Sequence, residues 1–265
     1  MCRLFGMTSG TEPTRATFWL LESSDSLDVQ SRANPDGTGI GVFDEDGRPR
    51  VLKQALEADR DLDFAREARE LVSRTFVAHV RHATQGGLSE VNTHPFSMDG
   101  RIFAHNGGFG ELPALDDHLG DDLSLVRGET DSERLFALVT REIRERGDVA
   151  GGLVAALDWV AGHLPVLALN VVLTTPDGLW AVRYPETHTL FVLTSDEGPV
   201  EHRSDEGTRV SADHAPARVV VASERLDDDP GWEELASGEL VHVDADLAVT
   251  RRQVWDRGPA RRLTV

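Results

Sequence analysis

Apolar residues along the chain fall into two kinds of run. Most are short, rich in β-branched and aromatic residues and bounded by Gly, Pro or Asp, which predicts strands. Thr38 to Asp44 (TGIGVFD), the pair Asp46-Gly47 and then Arg50 to Lys53 predict a hairpin. Phe76 to Arg81 and Arg101 to His105 predict two short strands, each running into a glycine-containing loop. Val166 to Thr174 and Leu179 to Tyr184 flank a Pro176-Asp177-Gly178 turn, and Leu190 to Leu193, Arg218 to Ala222 and Glu239 to Val243 complete the set. Three other segments carry helix signals. One covers Asp59 to Ser73. A second starts near Thr130, where Thr130-x-x-Glu133 has capping-box spacing and Leu135, Phe136, Val139 and Ile143 share a face. A third spans Val149 to His163. Many strands with few helices between strand pairs predict two stacked sheets with helices outside them, a pattern shared with other mixed α+β folds.

Composition narrows the class. A length of 265 residues allows one large domain with a substantial core, or two small ones. The 46 acidic against 27 basic residues give a net charge of -19, which repels phosphate backbones and argues against nucleic-acid binding. The same charge suits a soluble cytoplasmic protein. The start, MCRLFGMTSG, has no basic segment followed by an apolar run, so no secretory leader is expected. The longest apolar run, Leu164 to Leu173, is broken by Pro165 and Asn170 and reads as a buried strand, so no membrane span is expected. A single cysteine excludes an intramolecular disulfide framework and suits a reducing compartment.

That cysteine is Cys2, directly after the initiator Met. Methionine is commonly excised before a small residue, and excision would put a free α-amine on the residue that carries the thiol. An α-amine has a pKa of about 7.7–8.0, so near neutrality it can serve as general base toward its own thiol. Acyl transfer also needs donors fixed where the oxyanion forms. Asn106 offers a side-chain amide, and Gly107, without a Cβ, can bring its N–H close. An amino-acid substrate presents a carboxylate, best held by a bidentate arginine, and an ammonium, which needs a carboxylate. Arg81, with Ala83 and Thr84 just beyond it, suits the first, and Asp131 at the start of a helix suits the second. Each of these residues also has an ordinary reading: Cys2 a small buried residue at a strand start, Asn106-Gly107 a turn, Arg81 a surface residue, Asp131 a helix cap. His79, His82, His94 and His105 match no structural zinc spacing, so no metal is expected, and the chemistry calls for no cofactor. His94, in Asn92-Thr93-His94-Pro95-Phe96, is placed on a loop that would line the substrate. No Gly-x-Ser-x-Gly elbow supports a serine nucleophile, and Ser97 and Ser223 have no evident partner.

Together, MCRLFG, Pro35-Asp36-Gly37, AHVRHAT at 78–84, NTHPF at 92–96, AHNG at 104–107 and ETDSE at 129–133 occur in an order that resembles the class II glutamine amidotransferases, a family of N-terminal-nucleophile hydrolases. The closer resemblance is to the short stand-alone branch, which includes the γ-glutamyl amidase of ergothioneine biosynthesis and related bacterial glutamine amidotransferases. The resemblance implies a four-layer αββα sandwich, with one domain over 2–250 and a C-terminal extension over 251–265. It implies Cys2 as nucleophile, Asn106 and Gly107 as oxyanion hole, Arg81 on the substrate carboxylate with Thr84 in support, and Asp131 on the α-amino group. Two departures bear on what binds beyond the glutamyl group. Thr38 stands where the branch commonly has an aromatic, and Gln85 where the sugar-amidating synthases have a histidine.

The expected reaction is hydrolysis of the γ-amide of glutamine or a γ-glutamyl compound through a Cys2 γ-glutamyl thioester, releasing glutamate and ammonia or an amine. Two alternatives stand beside it: a glutaminase subunit feeding ammonia to a separate synthetase, and a non-catalytic module retaining the fold. An acylase acting on another amide fits less well, since an uncharged acyl group needs neither Arg81 nor Asp131.

Overall fold

The computed structural model describes residues 2–56, 61–82, 86–195 and 217–264. Two sheets face each other. The first runs β11 (Glu233–Glu234), β9 (Phe191–Ser195), β10 (Arg218–Ala222), β1 (Arg3–Thr8), β4 (Thr75–Val80), β2 (Thr38–Phe43), β3 (Pro49–Gln54). The second runs β13 (Val249–Gln253), β12 (Glu239–Val243), β8 (Gly178–Arg183), β7 (Pro165–Thr175), β6 (Arg101–Phe109), β5 (Phe96–Met98). A two-residue strand, β14 (Arg261–Arg262), joins the start of β7 in parallel. Side chains alternate across each strand, and the cores follow that alternation. Leu4, Val77, Ile102, Ala104, Val172 and Val221 fill the space between the sheets.

The outward positions meet helices. Phe5, Met7, Phe76 and Ala78 pack beneath α1 (Leu27–Ser31), α2 (Leu62–Glu70) and the π-helical turn Phe18–Glu22. Phe103, Val171 and Leu173 pack beneath α3 (Leu112–Leu119), α4 (Asp131–Arg146) and α5 (Val149–His163). The result is the four-layer αββα sandwich. Among the described residues no helix is long and apolar enough to cross a membrane.

The α4 helix begins as its capping box predicts: Thr130 Oγ1 accepts from Glu133 N at 3.2 Å. The reciprocal half differs, because the Glu133 carboxylate accepts from Gly128 N at 2.6 Å, two residues before the position a capping box uses. Leu135, Phe136, Val139 and Ile143 are all buried. Burying each such side chain stabilises by about 1.5–3 kcal/mol against about 1 kcal/mol for a cap, so packing decides that the helix forms and the cap decides where it starts. The helix expected from Asp59 is α2, capped by Asp61 Oδ1 on the N–H groups of Asp63 and Phe64. Asp59 itself lies outside the described residues. The strand expected to end at His105 continues to Phe109, so Asn106, Gly107 and Gly108 are strand residues rather than a loop. The irregularity comes later, as a register shift between Gly108 and Phe109.

Candidate active site

Register brings the site to one end of the sandwich. Arg3 pairs with Val80, and Val80 with Thr38. Cys2, just before β1, therefore lies opposite Arg81 and His82, just after β4. His82 N–H donates to Cys2 Sγ at 3.2 Å, and the thiol donates back to the His82 carbonyl at 3.4 Å. Asn106 reaches across from the second sheet. Its amide donates to the Cys2 carbonyl and to Ser223 Oγ, each at 3.0 Å. Arg3 adds a third hold, from Nη1 to the Cys2 carbonyl at 3.2 Å. Ser223 follows β10 and is tied into β1, its N–H donating to the Leu4 carbonyl at 2.9 Å and its Oγ accepting from Leu4 N at 3.0 Å. Sulfur, carbonyl and amide are thus fixed by groups on or just beyond four strands, β1, β4, β6 and β10.

Burial pushes the Cys2 thiol above its ordinary value. The His82 N–H and the Arg81 guanidinium work in the opposite direction, and the Asp131 carboxylate pushes the same way as burial. A thiol raised in this way stays protonated near neutrality and needs a base to become a nucleophile.

The side chain of Arg81 is buried, not on the surface. Its guanidinium donates to the Gly87 carbonyl at 3.2 Å and the Gly86 carbonyl at 3.3 Å. Burial lowers its pKa, opposed by the Cys2 and Asp36 charges. Asp131 opens α4 with a buried carboxylate, which accepts from Phe109 N at 3.2 Å and from Ser132 N at 2.8 Å. Beside it, His105 is held between Ser132 Oγ at 2.9 Å and the Ala168 carbonyl at 3.1 Å. Gly107 has no room for a side chain, since a Cβ there would overlap the Ala168 carbonyl oxygen on the neighbouring strand.

The structure therefore gathers Cys2, Arg81, Asn106, Gly107 and Asp131 at one end of the sandwich. Thr84 and Gln85 lie outside the described residues. His94 is buried, its ring tilted against that of His79 with centroids 4.2 Å apart and edge-on to Phe96 at 4.6 Å. Thr38, the departure at the start of β2, is also buried and donates to Asp61 Oδ2 at 2.9 Å, so it ties the strand to the cap of α2. Sequence reasoning missed Ser223 and Asn92. Both are polar residues at the end of a short element, and nothing local names their partners.

A sequence profile of the family "Glutamine amidotransferases class-II" matches residues 1–260. The gamma-glutamyl-hercynylcysteine sulfoxide hydrolase of Mycolicibacterium smegmatis is 32% identical over 246 residues, 87% of this chain and 92% of that protein. "Probable glutamine amidotransferase DUG3" of Saccharomyces cerevisiae is 34% identical over 160 residues, and the match spans 52% of this chain but only 44% of that protein. The solved structure of a glutamine aminotransferase class-II domain protein from Silicibacter pomeroyi superposes with a TM-score of 0.64 at 21% identity, covering 96% of this chain and 99% of the other.

Proposed function

The chain belongs to the class II glutamine amidotransferases, and from that membership we propose that it hydrolyses the γ-amide of a γ-glutamyl compound through Cys2. One observation carries this reading. The Cys2 thiol, a cross-sheet amide, a buried guanidinium and a carboxylate at a helix start converge at one end of the sandwich. Similarity over nearly its whole length to a protein named for hydrolysing a γ-glutamyl compound favours such compounds over free glutamine.

In the proposed cycle Met1 has been removed, and the Cys2 α-amine takes the thiol proton. The sulfur attacks the γ-carbonyl, forming an S–C bond. One Asn106 N–H leaves its present acceptor for the oxyanion, joined by the Gly107 backbone N–H. The C–N bond then breaks as the α-ammonium gives its proton to the departing ammonia or amine. Water adds to the thioester, the S–C bond breaks, and glutamate leaves with the thiol restored. Arg81 and Asp131 hold the α-carboxylate and α-ammonium throughout, which fixes the γ-carbonyl over the sulfur.

The test is glutamate release from L-glutamine and from a panel of γ-glutamyl amides, with intact mass confirming the loss of Met1. The wild-type chain should release glutamate with a preference within the panel. Cys2→Ala should lose about a thousandfold or more of kcat. Undiminished release by that variant would overturn the assignment of the nucleophile.

A further inference from the structure

We propose that Asn92 is a positioning residue that sets the separation of Arg81 and Asp131, and so the selectivity for a substrate carrying both an α-carboxylate and an α-ammonium. The inference rests on the headgroup roles just proposed for those two residues.

Asn92 ends the short 3-10 turn Glu90–Asn92 and is 2% exposed. Its Nδ2 donates to the Gly87 carbonyl at 3.1 Å and to Glu129 Oε2 at 3.3 Å. Its Oδ1 accepts from Glu129 N at 2.9 Å. Glu129 Oε2 closes the ring by accepting from Gly87 N at 3.2 Å. The Gly87 carbonyl is the one that Arg81 Nη1 also uses. Glu129 lies two residues before Asp131 and one before the cap of α4. Hydrogen bonds therefore run from the Arg81 guanidinium through Gly87 and Asn92 to Glu129, and the backbone carries the link on to Asp131.

The chain closes tightly around this amide. A Cβ at Gly86 would come 2.9 Å from Asn92 Nδ2, and one at Gly128 would come 2.5 Å from Oδ1. Asparagine is the side chain that suits this place, because it donates and accepts from one planar group of this length. Aspartate has no donor for the Gly87 carbonyl and would face the Glu129 carboxylate. Two-point recognition of a short zwitterion depends on the distance between the recognising groups, so slack between Arg81 and Asp131 weakens headgroup binding before it affects the sulfur.

The experiment compares the full chain with Asn92→Ala, Asn92→Asp, Glu129→Ala and the double variant Asn92→Asp/Glu129→Gln. Cys2 is labelled with iodoacetamide, which has no headgroup, and with 6-diazo-5-oxo-L-norleucine, which has both charged groups. Labelling is read by intact mass beside steady-state kinetics. In Asn92→Ala and Asn92→Asp the rate with the norleucine reagent should fall about tenfold, and KM should rise about as much. Iodoacetamide labelling should stay near wild type. The preference for L-glutamine over glutaramic acid, which lacks the α-amine, should shrink. The double variant restores a donor facing an acceptor and should recover part of the loss. Glu129 is exposed, so Glu129→Ala keeps the core intact and carries the test if the Asn92 variants do not fold. An unchanged KM in Asn92→Ala and in Glu129→Ala overturns the proposal. So does an equal fall with both reagents, which marks a purely structural role. If the wild-type chain itself shows no preference for the norleucine reagent, the headgroup roles of Arg81 and Asp131 fail first, and the inference falls with them.

Discussion

One hydroxyl, that of Ser223, holds the Asn106 amide and at the same time completes the backbone pairing at the start of β1. Ser223→Ala would leave the buried Leu4 N–H without its acceptor, at a cost of about 1–3 kcal/mol. It would also free the Asn106 amide to turn. Urea denaturation should show that loss, and kcat should fall with little change in KM, since neither Arg81 nor Asp131 is disturbed. Wild-type stability with wild-type kcat would rule out both consequences. Cys2, Asn106, Arg81 and Asp131 stood out in the sequence because each matches one need of the proposed chemistry. Ser223 was not, because its partners lie 219 and 117 residues away in sequence. Thr38 was legible only as a departure, and its bond to Asp61 could not be read from the sequence.

At the scale of elements, β6 shows where pattern reading stops. Asn-Gly-Gly reads as a turn because glycine has no side chain to mark a face, yet pairing with β7 continues through Asn106, Gly107 and Gly108. Only tertiary pairing carries that information. Gly107→Ala would drive a methyl into the Ala168 carbonyl and force β6 and β7 apart. Overpacking of that kind costs about 1–3 kcal/mol, and here it also moves Asn106. Reduced yield or melting temperature, with loss of amidase activity in whatever folds, is the expected result, and an active variant of normal stability would contradict it. Some elements were read almost to the residue: α5 and the strands β10 and β12 occupy the segments expected of them. The strand β1 was touched on only as the strand start at Cys2, and its extent comes from its pairing with β4 and β10. The start of α4 carries a prediction of its own. Thr130→Ala removes a cap worth about 1 kcal/mol, and the loosened turn includes Asp131. KM should therefore rise more than stability falls, and the reverse ratio would separate the helix start from substrate recognition.

At the scale of the whole molecule, the buried His79–His94 pair should make stability depend on pH. Both rings are buried, and none of their four nitrogens makes a well-formed hydrogen bond among the described residues. Burial holds His79 down to about 3, with the His105 and Arg81 charges adding to the effect and the His105 backbone opposing it. Burial also holds His94 well below its ordinary value, aided by His79, His105, Lys53 and Arg81. The charged neighbours of both rings are basic and disfavour an imidazolium. The sign follows from proton uptake. Below about pH 6.5 the unfolded chain protonates both histidines and the folded chain does not, so acidification favours unfolding. Each histidine contributes about 1.4 kcal/mol per pH unit, from about 6.5 downward, and for His79 the decline continues to about pH 3. His79→Met keeps an apolar group of similar size against His94 and removes one titrating site. Chemical denaturation at pH 7, 6, 5 and 4.5 should show wild-type stability falling more steeply than that of His79→Met, by about one proton per molecule. The carboxylates behind the net charge of -19 titrate in both proteins, so their contribution cancels in the difference. Parallel curves would mean that the folded protein accepts a proton at His79.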